Sequence, residues 1–299
     1  MTAGYRQRGR MPSNFVFQFS AMGCPCELQL YAQTPELAQQ IAQRVMADVY
    51  RLEHKYSRYR ADSFLAKINQ VAALGGSISI DEETASLLNY AQTCYELSDG
   101  LFDITSGILR RAWRFDTNIL PDDKTIQTLL KKIGWQHIYW ENSTLSFSQA
   151  DMEIDFGGIV KEYAADRAAT WCLEAGVLHG IVNLGGDIKI IGAHPDGSAW
   201  RVGIQHPRDK SKVWKTLKLK TGALASSGDY ERCMVIDGVR YGHILNPKNG
   251  YPVRHLAAVS VVADLCVVAG SAATIAMLKE KNGEKWLKSL GLQHYTFKN

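Results

Sequence analysis

The chain has 299 residues, of which 46% are hydrophobic and 21% are charged, and these proportions exclude a predominantly disordered protein. The formal net charge of +4 is small and dispersed, which argues against a nucleic-acid-binding protein. No apolar run approaches the roughly 18 residues needed to span a membrane, and the length allows one large domain or two packed lobes.

The N-terminal residues 1–14 are predicted to form a flexible tail, with 15–299 as a single folded domain. Arginines precede Met11 without an apolar block of signal-peptide length, so we expect no export. The six cysteines are scattered, which favours reduced thiols in a cytoplasmic protein. Cys24 and Cys26 flank Pro25 like half of a metal site, but the chain has no second Cys/His pair at zinc spacing, and buried thiols are the favoured interpretation.

The first third of the chain alternates strand and helix patterns. "FVFQFS" and "CELQLYA" alternate apolar and polar residues and predict two paired strands. Thr34-Pro35-Glu36 then opens a helix, in which apolar residues recur every three or four positions as far as Tyr56. Asp81 is expected to cap a helix that ends near Leu97, before Gly100. "ITSGILRRAWRF" and "TIQTLLKKIG" predict two more helices.

Short strands dominate from Ile138 onward. They are predicted at "IYW", "LSF", "MEIDF", "IVNL", "DIKII", "RVGIQ", "VWKTLKL", "ALAS", "CMVI", "YGHIL" and "VSVV". Asp237-Gly238 is a strong hairpin-turn signal. Helices are expected after Gly158 and near 268–280 and 283–290. Because helices cluster early and strands late, we predict an α+β fold of mixed or antiparallel sheets with packed helices, forming two lobes around a cleft.

Four glycine-rich stretches could carry chemistry: "SDGLFDITSG", "EIDFGGIVKEYAADRA", "VNLGGDIKIIG", and "SSGDY" followed by "HILNPKNGYP". In the second, Gly157-Gly158 lies between a predicted strand and a helix that carries Lys161, which suits phosphate binding, although a plain turn is the favoured interpretation of this stretch alone. "SSG" is a weak hydrolase signal without the G-x-S-x-G elbow. His243 ends a predicted hairpin strand and is a catalytic or a structural histidine.

Taken in order, these motifs resemble the FAD:protein FMN transferase (ApbE) family over residues 15 to 290. "AMGCPCEL" resembles its first strand motif, "YSRYRADSFLAKIN" its S-x-x-x-x-S-x-x-x-x-N segment and "SDGLFDIT" its D-G-x-F-D loop. "IDFGGIVKEYAAD" resembles the D-x-G-G-x-x-K-G-Y-x-x-D core. "VNLGGDI", "SSGDY" and "HILNPKNGYP" follow in the family's order.

The resemblance implies an enzyme that binds FAD in a cleft and, with a divalent ion such as Mg²⁺, moves FMN to a Ser/Thr hydroxyl of a partner protein, releasing AMP. It implies His243 as the catalytic base and Gly158 and Thr274 as metal ligands, through a carbonyl and a hydroxyl. The FAD-binding residues that it implies are Met22, Tyr59, Leu101, Phe102, Asp103, Asp155, Lys161 and Leu245.

The last motif departs from the family pattern A-D-x-x-x-T, because Gly270 replaces the aspartate four residues before Thr274. Losing that carboxylate is expected to weaken a magnesium site, and Gly270→Asp to strengthen metal dependence. Asp264 or Asp187 could substitute, a helix opening at Gly270 could hold the diphosphate, or the protein could bind FAD without transferring it. FAD hydrolysis is a further alternative.

Two other positions also depart from the family pattern. Glu162 replaces the glycine after the core lysine, and Asn246 replaces an acid before proline. Together with the missing export signal, these departures suggest a cytosolic branch of the family. Its acceptor would be a cytosolic protein or the inner face of a membrane complex.

Overall fold

The structure is a computed structural model that describes residues 11–299. The first strand begins at Ser13, so the predicted boundary between tail and fold at residue 15 is two residues too late. The rest of the predicted tail, residues 1–10, lies outside the described residues.

Helices and strands follow the predicted order closely. The α-helices of the described part are α1 (Pro35–Tyr56), α2 (Phe64–Leu74), α3 (Glu82–Leu97), α4 (Asp123–Leu130), α5 (Val160–Glu174), α6 (Cys266–Leu278) and α7 (Gly283–Ser289). Its 3-10 helices are Ile104–Arg111, Trp135–His137 and Glu280–Asn282. Its strands are β1 (Ser13–Ala21), β2 (Cys24–Ala32), β3 (Ser77–Ser79), β4 (Ile138–Glu141), β5 (Thr144–Phe147), β6 (Gly180–Leu184), β7 (Asp187–Gly192), β8 (Trp200–His206), β9 (Asp209–Leu219), β10 (Ala223–Gly228), β11 (Cys233–Ile236), β12 (Val239–Gly242), β13 (Leu256–Ala263) and β14 (Gln293–Lys298).

A seven-stranded sheet in the order β1-β2-β6-β7-β10-β13-β14 is the centre of the fold, and all of its neighbouring strands are antiparallel. Successive strand residues point to opposite faces. Val182 accordingly lies in the main core, where α5 and α6 pack on the sheet, whereas Ile181 lies in a second core. That second core also contains Trp200 and Val202 of the β8–β9 hairpin, so both faces of the sheet are covered.

The helical part continues the same main core. One face of α1 is buried, including Ile41, Val45 and Leu52, and Thr34 caps this helix by accepting a hydrogen bond from the Leu37 amide at 3.2 Å. A small sheet, β3-β5-β4, lies beside α2. The predicted α+β class is therefore confirmed, with antiparallel pairing throughout the central sheet.

Two local predictions are wrong, and a third is correct in type but shifted by two residues. "MEIDF" is not a strand, because its backbone bonds to a side chain instead of a neighbouring strand: the Ile154 amide donates to Asn69 Oδ1 at 2.8 Å, and Asn69 Nδ2 donates to the Ile154 carbonyl at 3.0 Å. The "ITSGILRRAWRF" helix is the 3-10 helix Ile104–Arg111. The helix predicted near 268–280 begins at Cys266, which changes the environment of Gly270.

Within residues 11–299, no helix combines the length and apolar character that a membrane crossing requires.

Candidate functional site

The turn before α5 brings several predicted residues together. The Gly157 amide donates to Asp155 Oδ1 at 2.9 Å, and α5 has no side-chain cap. Gly158 packs closely against Phe102, because a Cβ at this position would lie 3.2 Å from the ring. Gly107 is also close-packed, since a Cβ on it would lie 2.6 Å from the Asp155 Cβ. Phe102, Asp155 and Gly158 are thus neighbours, as the sequence predicts.

Two arginines that sequence reasoning missed connect this turn to Tyr59. Arg58 pairs with Asp155 and donates to the Tyr59 hydroxyl at 2.9 Å, while Arg232 donates to the same hydroxyl. Arg232 also lies beside the turn of the β1–β2 hairpin, which contains Met22 with a φ of 52°. Tyr59 is 69% exposed, so its ring presents an open aromatic face between two guanidinium groups.

Lys161 lies on the first turn of α5 beside a pair of acids. Its Nζ is 2.6 Å from Asp187 Oδ2, and Asp187 Oδ1 accepts a hydrogen bond from the Ser226 amide at 3.2 Å. Burial alone would lower the pKa of the Lys161 ammonium, but the negative charges of Asp187 and Glu162 raise it. The Lys161 side chain therefore stays protonated and positively charged.

Glu162 is the most unusual residue of the buried charged cluster that it forms with Lys161 and Asp187. It is buried, and its Oε2 accepts no hydrogen bond from any residue in 11–299. Asp187 Oδ2 also accepts no well-directed hydrogen bond there, despite its ion contact with Lys161. Burial first, and then the neighbouring Asp187 carboxylate, raises the pKa of Glu162 to about 8. Burying a carboxylate with an unsatisfied oxygen lowers the stability of the fold, and such a residue is therefore a candidate for a functional role.

Gly270 lies in the middle of α6, and its surroundings correct two expectations. It does not open a helix that could hold a diphosphate, because α6 begins at Cys266 and its first amides already donate to Asp166. A Cβ on Gly270 would lie 2.5 Å from Cγ and 2.9 Å from Oε1 of Glu162. The Glu162 side chain therefore already fills this space, and the expected gain from Gly270→Asp alone is wrong, because the new side chain would collide with it.

The other proposed metal-site residues differ in position. Thr274 lies one turn after Gly270, with its hydroxyl 2.7 Å from the Ser227 hydroxyl. Of the two alternative acids, Asp187 belongs to the cluster, whereas Asp264 is exposed in the loop before α6. No group of three or more His, Cys, Asp or Glu residues in the described part of the chain is arranged to hold a metal ion.

His243 follows β12 and is exposed. Partial dehydration, together with the positive charges of Arg232, Arg58 and Lys161, lowers its pKa to about 4. The imidazole is therefore neutral at pH 7 and available as a base. Neither Ser226 nor Ser227 hydrogen-bonds to it; their hydroxyls bond to Ser260 and Thr274, which gives no support to the hydrolase interpretation of this stretch.

The remaining predicted residues have clear packing roles. Asp103 is buried and caps the Ile104–Arg111 3-10 helix, accepting from the Thr105 amide at 2.8 Å and its hydroxyl at 2.7 Å. Leu101 packs against the main core, and Leu245 packs beside the 3-10 helix. Their contact with FAD stays a prediction.

Cys24 borders the Lys161–Asp187 pair. Its Sγ is 4.0 Å from that of Cys26. The hydrogen bond with Cys26 and, against the effect of burial, the charge of Lys161 lower the pKa of Cys24 to about 7. Two surface pockets, one lined by Met11 and His194 and the other by Asp264 and Leu265, contain none of the residues that the resemblance assigns to FAD, the metal ion or catalysis. The site is therefore described by its side chains and their contacts.

Curated relatives match most of the chain. A protein of Vibrio cholerae named FAD:protein FMN transferase is 28% identical over 264 residues, covering 85% of this chain and 78% of the relative. A protein of Klebsiella pneumoniae with the same name is 30% identical over 261 residues, covering 85% and 79% respectively.

Solved structures match the fold. The ApbE protein of Thermotoga maritima superimposes with a TM-score of 0.86 at 32% identity, covering 96% of this chain and 94% of that one. The flavinyl transferase ApbE of Pseudomonas stutzeri, in its apo form, gives 0.86 at 26% identity, with 96% and 92% covered. The ApbE family model matches residues 22–296. The chain therefore belongs to the ApbE family.

Proposed function

We propose that this protein transfers FMN from FAD to a serine or threonine hydroxyl of a partner protein and releases AMP. The observation that carries the proposal is the joining of the Lys161–Asp187 pair, the Gly157-Gly158 turn and the Arg58–Tyr59 face in one cluster, in a chain of the ApbE family. The name of the relatives, FAD:protein FMN transferase, supports the same reaction.

The cluster suits the two ends of a flavin dinucleotide. The Lys161 ammonium, with the amides at the uncapped start of α5, offsets the negative charge of a diphosphate. The exposed ring of Tyr59 offers a face on which a flavin can stack, and Arg58 and Arg232 fix the orientation of that ring through its hydroxyl.

The transfer step needs one base and one leaving group. The acceptor hydroxyl oxygen bonds to the phosphorus of the FMN half, and the bond from that phosphorus to the bridging oxygen breaks, so that AMP leaves with the bridging oxygen and its electron pair. His243, neutral at pH 7, takes the hydroxyl proton. Lys161 is placed to stabilise the negative charge that develops on the phosphates.

A divalent cation, for which Mg²⁺ is our proposal, would supply further charge stabilisation at the leaving phosphate when bound. The chemistry of the donors fits such an ion: the buried Oε2 of Glu162, which accepts no hydrogen bond from the described residues, the carboxylate of Asp187, which pairs with Lys161, and the hydroxyl of Thr274. The resemblance adds the Gly158 carbonyl.

The test is incubation of the purified protein with FAD, MgCl₂ and an extract of host cells, followed by in-gel flavin fluorescence and mass spectrometry of labelled bands. We expect a covalent FMN adduct on serine or threonine and release of AMP, and loss of both with His243→Ala. AMP without an adduct would replace the proposal with FAD hydrolysis. Intact bound FAD would replace it with a carrier function.

We also propose a cytoplasmic setting, in which the acceptor is a cytosolic protein or the inner face of a membrane complex. The six cysteines support it, because all of them are free thiols. Separating cell fractions and probing each with an antibody to the protein tests this proposal, and recovery outside the cytoplasm would contradict it.

A further inference from the structure

Two departures from the family pattern meet in space. Glu162, on α5, replaces the family's glycine, and Gly270, on α6, replaces its aspartate. A Cβ on Gly270 would lie 2.5 Å from the Glu162 Cγ, so the glutamate side chain occupies the volume that a side chain at 270 would need. One substitution removes a carboxylate from α6, and the other places a carboxylate in the same space from α5.

The carboxylate of Glu162 is also buried and incompletely hydrogen-bonded. The residue is only 8% exposed, and its Oε2 accepts no hydrogen bond from residues 11–299. Asp187, which is 2% exposed, pairs with the Lys161 ammonium through Oδ2 at 2.6 Å and accepts no well-directed hydrogen bond at that oxygen. When both carboxylates are ionised, as cation binding requires, the Lys161 ammonium offsets only one of their two negative charges. Burying such a charge is unfavourable unless a cation binds it.

Thr274 supplies the neighbouring neutral oxygen. Residues four apart on a helix share a face, so Thr274 lies one turn along α6 from Gly270, the position that Glu162 covers. Its hydroxyl is 2.7 Å from that of Ser227. Carboxylate and hydroxyl oxygens are hard donors, which Mg²⁺ and Mn²⁺ prefer.

We propose that Glu162 supplies the carboxylate that binds the divalent cation, in place of the aspartate that Gly270 replaces, so that this ligand comes from α5 while Thr274 remains on α6. The inference rests on the proposed function for its metal, and it concerns the residue that holds that metal. It implies that the missing aspartate does not abolish metal binding in this chain.

Mn²⁺ is the probe for the test, because electron paramagnetic resonance measures its free concentration directly. Titrations with and without FAD compare the wild type with Glu162→Gln, which keeps the side-chain shape but removes the charge. Losing a charged ligand is expected to weaken Mn²⁺ binding by roughly tenfold or more. Glu174→Gln is the matched control, because Glu174 is an exposed glutamate on the same helix, and it should leave binding unchanged.

The double variant Glu162→Gly with Gly270→Asp moves the carboxylate to the other helix without adding volume. We expect it to bind Mn²⁺ within about threefold of the wild type, since the number and charge of the ligands are kept. This variant also decides the question if Glu162→Gln does not fold. Unchanged Mn²⁺ affinity in Glu162→Gln, or no Mn²⁺ binding by the wild type with or without FAD, would overturn the inference.

FAD fluorescence quenching, recorded in the same samples, separates the inference from the proposed function. If Glu162→Gln loses Mn²⁺ binding but neither the wild type nor any variant binds FAD, the metal site stands and the transferase proposal fails. If FAD binds to all variants and Mn²⁺ affinity does not change, the transferase proposal stands and the role of Glu162 is refuted.

Discussion

His243 lies within the influence of three positively charged side chains, Arg232, Arg58 and Lys161. Dehydration and the charges of Arg232, Arg58 and Lys161 all favour its neutral form, which lowers its pKa to about 4. A neutral imidazole can accept a proton, whereas an imidazolium cannot. The same positive charges that suit a diphosphate therefore also keep the base ready at neutral pH.

Replacing Arg232 by glutamine should raise the pKa of His243 toward its ordinary value, because one repelling charge is removed. In the wild type, His243 should take up a proton only as the pH falls toward about 4, since a lowered pKa means that the neutral form persists at lower pH. The measurement is an NMR titration of the His243 ring protons, assigned by comparison with His243→Gln. Arg201→Gln, an exposed arginine on β8, is the control. A wild-type midpoint at or above the ordinary pKa would contradict the argument.

Elements with strong local signals were predictable. The Thr34-Pro35 cap and the 3.6-residue apolar period fixed α1, and Asp81 caps α3 as expected, accepting from the Thr84 amide at 3.0 Å. Asp237 and Gly238 both have positive φ, 50° and 76°, which is the turn that their sequence favours between β11 and β12. In each case the residues that decide the conformation are adjacent in the chain.

Elements that depend on distant partners were missed. Helix α2 was also missed, although the N-cap Ser63 and the left-handed Gly75 that bound it are local signals. The segments β3 and β14 are strands because they pair with β5 and β13, respectively. "MEIDF" has strand composition, yet an asparagine from α2 occupies its hydrogen-bonding groups.

Helix α6 shows how one element positions another. The carboxylate of Asp166, on α5, accepts from the Cys266 amide at 2.8 Å and the Val267 amide at 2.9 Å. It therefore caps α6 from a neighbouring helix, and its charge complements the positive end of the helix dipole. These two hydrogen bonds hold α6, which carries Gly270 and Thr274, against α5, which carries Lys161 and Glu162.

Replacing Asp166 by alanine is expected to lower the free energy of unfolding by about 2 kcal/mol, at the upper end for a cap, because the group is half-buried and satisfies two amides. The exposed cap Asp122 of α4 is the control, and Asp122→Ala should cost about 1 kcal/mol or less. Urea denaturation measures both values. Equal costs for the two variants would show that Asp166 acts as an ordinary local cap and does not couple the helices.

At the level of the molecule, the site draws on segments from most of the chain. Motif resemblance singled out Tyr59, Asp155 and Lys161 from the sequence, because each carries its chemistry in its own residue type. It could not show that Arg58 and Arg232 share the Tyr59 hydroxyl, or that Glu162 fills the space beside Gly270. These relations exist only once α1, α5, α6 and the central sheet have packed together.

A dinucleotide that contacts all of these segments should stabilise the whole fold more than either half of the dinucleotide does alone. Tyr59 follows the end of α1, Lys161 lies on α5, and Arg232 precedes β11, so a dinucleotide that reaches all three connects helical and sheet-rich parts. At one hundred times its dissociation constant, a ligand adds about 2.7 kcal/mol to the free energy of unfolding. For a chain of this size that corresponds to a rise in Tm of roughly 5 °C.

We therefore expect FAD to raise the Tm by about this amount in a thermal unfolding experiment, and FMN or AMP at the same concentration to raise it less. Lys161→Met should reduce the FAD shift, because the diphosphate then loses its cation, while leaving the smaller FMN and AMP shifts closer to their wild-type values. An AMP shift as large as that of FAD would mean that the adenylate half alone accounts for binding. The Tyr59 face would then have no flavin to hold, and the cleft would not connect the two halves of the molecule through its ligand.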